Sequence, residues 1–210
     1  MRSSSPIPGN PWPHEMVITI DDPSPLFELL WVREAWRLQP AGADLPPLLV
    51  DTPAYVGSGH PPPGWSAGWA QLWGACVQHA AMPQDRIGME RLFTDRSLGV
   101  SERTALLSGL RGPSWRDRFG DDALTDAFGD WKLADSERRM SPALSLDQTP
   151  ERLALDSLIP AWRAGLTKLV VIPCRGSYTR RIGEATLPLT DETREDPDLF
   201  ADTLRSFGAR

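Results

Sequence analysis

The sequence predicts an α+β fold: a mostly helical single domain around a buried Trp-rich helix, with a small antiparallel sheet formed mainly by the C-terminal third. Three observations carry that expectation. The stretch from Thr52 to Gln84 holds no Asp, Glu, Lys or Arg, and within it Trp65, Trp69 and Trp73 recur every four residues. Apolar residues at helical spacing return in several other segments. Near Thr167 the pattern changes to short apolar runs separated by turn residues, which is the signature of strands.

The Trp segment is the element on which the others are expected to pack. At about 100° per residue, Trp65, Trp69 and Trp73 stay on one side of a helix, joined by Leu72, Cys76 and Ala80. Ala67, Ala70, Gly74 and Ala81 take the other side, with only Gln71 and Gln78 for polarity. Rings on one face, small residues on the other and no charge predict a helix buried on most sides. Trp69, Leu72 and Cys76 should be nearly inaccessible.

The remaining elements follow in order. Met16–Ile20 is a short strand-like run. Ser24-Pro25 is expected to cap a helix over Leu26 to Leu38, ended by Pro40-Ala-Gly-Ala. Leu45 to Val50 can form a second short strand, and the prolines of Gly57 to Gly64 favour an extended arm. Short helices are expected over Arg86 to Phe93 and, opened by Ser101, over Ser101 to Leu110. Another covers Asp121 to Arg139, with Leu124, Phe128 and Trp131 on one stripe and Asp122, Asp126 and Asp130 on a second. Ser141 to Gln148 reads as a loop. A helix opens at Thr149-Pro150-Glu151, kinks at Pro160 and closes at Gly165.

Thr167 to Pro173 is the strongest strand. Tyr178 to Ile182 and Ala185 to Thr190 follow as returning strands of an antiparallel meander, with Pro188 placing the last at the periphery. Asp196-Pro197 caps a final helix with Phe200, Leu204 and Phe207 inward.

Composition bounds the function. A chain of 210 residues, 40% hydrophobic and 24% charged, is enough for one domain with a real core. A net charge of −6 opposes bulk attraction to nucleic acid or to an anionic membrane. Nine Trp against two Tyr favour packed cores and protein interfaces. Of the 22 basic residues only Lys132 and Lys168 are lysines, an Arg bias that suits a GC-rich bacterial genome. Cys76 and Cys174 lie far apart and Met1 to His14 has no apolar signal core. A reducing cytoplasm and a disordered leader over residues 1–14, preceding a domain over 15–210, are therefore expected. The charge-free helix approaches membrane-spanning length, but its Gln, His, Ser and Gly make it too polar to insert.

Cys174-Arg-Gly-Ser-Tyr-Thr-Arg180 has the Cys-x5-Arg spacing used by cysteine-dependent phosphatases. In that chemistry backbone N–H groups wrap a phosphate, a thiolate attacks phosphorus, and the Arg forks onto two oxygens. A helix N-terminus normally stabilises the thiolate; here strand and turn follow instead, so a hairpin turn that happens to hold a Cys is the competing reading. The Asp stripe is expected to solvate a helix face rather than bind metal. His14, His60 and His79 have no zinc spacing to the cysteines. No phosphate-binding Gly loop, nucleophile elbow or dinucleotide fingerprint is present, so no cofactor is expected.

The leading expectation is a non-catalytic cytoplasmic protein-interaction module, of adaptor, accessory or immunity-like type, with a protein partner or a second copy. Trp65, Trp69, Trp73 and His79 are its candidate binding residues, together with Arg175 and Arg181 of a basic patch that includes Arg180. The alternatives are a phosphate-ester hydrolase using Cys174 and Arg180, and a small-molecule binder with a cleft lined by the Trp helix.

Overall fold

The computed structural model describes residues 11–83, 85–140 and 145–209, without the side chain of Leu146. In chain order the elements are β1 (Thr19–Asp21), α1 (Ser24–Ala35), α2 (Trp65–Ala81), α3 (Arg86–Thr94), α4 (Val100–Arg111), α5 (Trp115–Phe119) and α6 (Asp126–Arg139). They continue with α7 (Pro150–Leu153), α8 (Leu155–Arg163), β2 (Lys168–Ile172), β3 (Thr186–Thr190), α9 (Asp191–Glu195) and α10 (Pro197–Gly208). A 3-10 turn over Leu146–Gln148 precedes α7. The first ten residues of the expected leader, and residues 141–144 of the expected loop, lie outside the described residues. The described residues are mostly helical.

The chain, expected to form a single domain over 15–210, divides into two compact units. One comprises Met1–Asp22, Pro46–Asp51 and Gly129–Arg210; the other comprises Pro23–Leu45 and Thr52–Phe128.

The first unit holds the sheet, in the order β1-β2-β3. Both pairings are parallel, Thr19 opposite Lys168 and Lys168 opposite Thr186. The antiparallel meander is therefore incorrect. Its hairpin survives in part, because Thr179 and Ile182 bridge Leu189 and Thr186 in antiparallel sense. The returning segment lies outside β3 rather than between β2 and β3.

Polarity explains this choice. Every residue of β2 and β3 is buried, as strands of a covered parallel sheet are. The returning Tyr178-Thr-Arg-Arg181 is polar and suits an edge. Pro188 fits for the same reason: its carbonyl accepts from Arg180 N–H at 3.1 Å, so its missing donor points to the edge segment and leaves the β2 ladder intact.

One face of the sheet presents Leu169, Val171, Leu187 and Leu189. They share a core with Leu155, Leu158 and Ala161 of α8 and Phe200, Leu204 and Phe207 of α10; Trp12 packs against it from the N-terminal segment. Asp196 caps α10, accepting from the N–H groups of Asp198 and Leu199, both at 3.0 Å. The helix opened at Thr149-Pro150-Glu151 is interrupted at Ala154, between α7 and α8, and Pro160 lies inside α8. Gly165, at φ +109°, closes α8 as expected. Leu45 to Val50 reduces to one bridge, Leu49 to Cys174.

The second unit is helical, and α2 packs on α1. Trp69 is 0% exposed, Leu72 6% and Cys76 4%, as the sequence predicts. The opposite face is not covered: Ala67, Gln71, Gly74, Ala75 and Gln78 are exposed. Lack of charge kept that face compatible with burial without requiring it.

Candidate functional site

The Cys174 loop is occupied by its own protein. Cys174 is fully buried. The Gly176 N–H donates to Glu192 Oε2 at 2.5 Å and the Tyr178 N–H to Thr193 Oγ1 at 3.1 Å. Thr190 Oγ1 donates to the Gly176 carbonyl at 2.7 Å. The Gly176 and Tyr178 backbone donors, which would cradle a phosphate, are thus held by side chains of α9, and extended backbone with isolated bridges rather than a helix follows the loop. This gives the Cys-x5-Arg pattern no support.

The basic patch is equally committed. Arg175 donates to the Leu49 carbonyl at 2.7 Å and the Val50 carbonyl at 3.2 Å. Arg181 donates to the carbonyls of Gly183, Glu184 and Phe207 and lies 4.1 Å from the Phe207 ring centre. Arg180 is half-buried on the edge segment. These side chains fasten irregular backbone that has no ladder of its own.

A charged network that sequence reasoning missed sits at the carboxyl end of the sheet. Asp22 follows β1 and Asp191 follows β3, while α6 supplies Asp135, Arg138 and Arg139. Arg139 contacts Asp191 and Asp22, and Arg138 contacts Asp135 and, at 3.2 Å, Asp51. Burial pushes the Asp135 carboxyl above the usual carboxylate range, opposed by the hydrogen bond from Arg138 and the charge of Arg139. Each acid belongs to a different stretch of chain, so linear spacing carries no sign of the cluster. The Asp stripe expected along one helix also changes, because α6 begins at Asp126 and Asp122 lies in the preceding turn. Among the described residues no group of three or more His, Cys, Asp or Glu is placed to hold a metal ion.

In the second unit the candidate rings pack on one another and on neighbouring backbone. Trp65 meets Trp36 and Trp115 edge-on, each at 5.0 Å. Trp69 stacks on Trp73 at 5.5 Å and donates to the Leu29 carbonyl at 2.5 Å. His79 Nε2 lies 3.3 Å from the Leu110 carbonyl, so it ties α2 to the end of α4.

The unexplained surface belongs to α3 and α4. Asp85 caps α3 through the Gly88 N–H at 2.8 Å. Only Gly88 and Leu92 of α3 are buried, and no residue of α4 is. At about 100° per residue, Val100, Leu106, Leu107 and Leu110 form one stripe of α4. Leu106 and Leu110 are half-buried, but Val100 is 85% exposed and Leu107 50%; on α3, Ile87 is 74% exposed and Phe93 77%.

No protein-family model, curated protein or solved structure matches the chain.

Apolar spacing in the sequence marks α3 and α4 as two helices. Apolar periodicity marks a face to be buried and is silent on whether the same chain buries it.

Proposed function

We propose that the protein is a non-catalytic interaction module of the cytoplasm, docking through α3 and α4, and that this face receives a second copy of the chain. The half-used apolar stripe of α4 carries the reading. Two helices alone cannot enclose such a stripe, whereas two hairpins meeting face to face form a four-helix contact. Charge favours a self-complementary contact. The segment from Asp85 to Arg111 carries Arg86, Arg91, Arg96, Arg103 and Arg111 against Asp85, Glu90, Asp95 and Glu102, close to neutral in a chain of net charge −6. Interleaved signs let the face meet its own copy without bulk repulsion.

The assignment to the cytoplasm is supported by two free cysteines, both buried. Among the described residues no helix is long and apolar enough to cross a membrane. Sedimentation velocity across a concentration series tests the docking face. The expected result is a monomer–dimer equilibrium that Phe93→Glu and Val100→Glu each abolish while the far-ultraviolet circular dichroism is kept. A wild-type monomer at every concentration, or dimers indifferent to both substitutions, would refute it.

A further inference from the structure

A cleft of about 500 Å³ opens in the second unit beside the end of α1, lined by Trp36, Arg37, Tyr55, His60 and the Gly57–Gly59 turn. Among the described residues no acidic side chain lines it, although the chain carries an excess of acids.

Arg37 is the telling residue. It is the one non-glycine with positive φ, +50°, among the described residues. It occupies the left-handed position of a helix-closing motif, with Leu38 N–H on the Arg33 carbonyl at 2.8 Å and Arg37 N–H on the Glu34 carbonyl at 3.0 Å. The end of α8 uses the same two bonds, Leu166 to Ala161 and Gly165 to Trp162, with glycine in that position. A side chain there costs about 1 kcal/mol relative to glycine. At Arg37 the chain accepts that cost.

The result is a cation directed over an aromatic ring. The guanidinium lies 4.5 Å from the centre of the Tyr55 ring and has no hydrogen-bond or ion-pair partner among the described residues. Tyr55 is itself held. Its hydroxyl donates to the Gly59 carbonyl, and Val56 N–H donates to the Ala35 carbonyl at 2.9 Å. A Cβ on Gly57 would collide with the Tyr55 ring, so glycine admits the ring to this position. Trp36 is anchored through its indole N–H to the Ala123 carbonyl at 3.0 Å. Among the described residues, an aromatic shelf, an unpaired fork of donors and an unpartnered His60 are thus brought together without an acid.

We infer that this cleft binds a small aromatic anion, its carboxylate or phosphate on the Arg37 fork with His60 adjacent, and its ring against Trp36 and Tyr55. The inference does not depend on docking through α3 and α4. Benzoate and phenyl phosphate, with neutral benzamide as control, are titrated into the full-length protein by calorimetry and by following the Trp36 indole N–H resonance. Saturable binding of one or both acids, and none of benzamide, is expected; which acid binds tighter identifies the anion.

Arg37→Gly and Arg37→Asn, both suited to left-handed backbone, should weaken binding roughly ten- to a hundredfold and leave the thermal midpoint unchanged or raised. The inference is overturned if neither acid saturates, if benzamide binds equally, or if both variants bind as wild type. It is also overturned if both variants lose thermal stability, which would make Arg37 a structural cap.

Discussion

Arg139 grips Asp191 through two parallel hydrogen bonds, Nε to Oδ2 at 3.1 Å and Nη2 to Oδ1 at 2.9 Å. Asp191 is 4% exposed and the neighbouring Asp135 2%, so both carboxylates depend on α6 arginines for the solvation they have lost. Arg139→Ala strips Asp191 of that fork and takes a positive charge from beside Asp135. It should destabilise the fold by about 3–5 kcal/mol, read as a lower urea midpoint. Arg205 and Asp202 pair on the surface of α10, where both side chains are more than half exposed. Asp202→Ala is expected to cost no more than about 1 kcal/mol.

Cys76 makes stability fall at high pH. Burial, followed by the charges of Glu28 and Asp117, pushes its thiol from 9.0 up to about 12. Its Sγ donates to the Pro113 carbonyl at 3.0 Å. Between these two values the unfolded chain gives up the proton and the folded protein keeps it. The unfolded state then binds fewer protons, and the stability is lost as pH rises. The slope due to this one group approaches about 1.4 kcal/mol per pH unit. Urea unfolding from pH 8 upward should show that slope in the wild type minus Cys76→Ala difference. Iodoacetamide at pH 8 should leave native Cys76 unmodified.

Stacked Trp69 and Trp73 should respond differently to the same substitution. Both rings are buried, but only the Trp69 indole N–H has an acceptor, the Leu29 carbonyl; the Trp73 donor has none among the described residues. Trp69→Phe removes ring volume and a hydrogen bond. Trp73→Phe removes similar volume together with an unsatisfied donor. Chemical denaturation should therefore find Trp69→Phe the more damaging by about 1–3 kcal/mol.

How legible the fold was in the sequence depended on whether a signal is local. Asp196-Pro197 before Phe200, Leu204 and Phe207 declares a capped amphipathic helix within twelve residues, and it forms as read. Gly165 closes its helix for an equally local reason. The direction of β3 is different. Short turn residues around Gly176 and Gly183 are compatible with a meander, but a buried place beside β2 went to Leu187 and Leu189 rather than to Thr179 and Arg180. That is a competition between segments, decided by burial. The network of Asp22, Asp51, Asp135 and Asp191 is more distant still, since no spacing links four acids from four segments. At Arg37, nothing in Ala35-Trp-Arg-Leu38 distinguishes a left-handed arginine from one more helical residue.

The two faces of α2 can be told apart by glycine. Gly68 is buried, and a Cβ there would fall inside contact distance of the Phe119 ring. That ring is itself stacked on Trp115 at 4.4 Å, so it has little freedom to withdraw. Gly74, on the exposed face of the same helix, meets nothing. In an open helical position alanine is favoured over glycine by about 0.5–1 kcal/mol, because it gives up less backbone freedom on folding. Gly74→Ala should accordingly raise the thermal midpoint, while Gly68→Ala should lower it by overpacking worth about 1–3 kcal/mol. Differential scanning calorimetry of the two single variants checks both signs. If Gly74→Ala were instead destabilising, the uncharged face of α2 would have to be covered in solution.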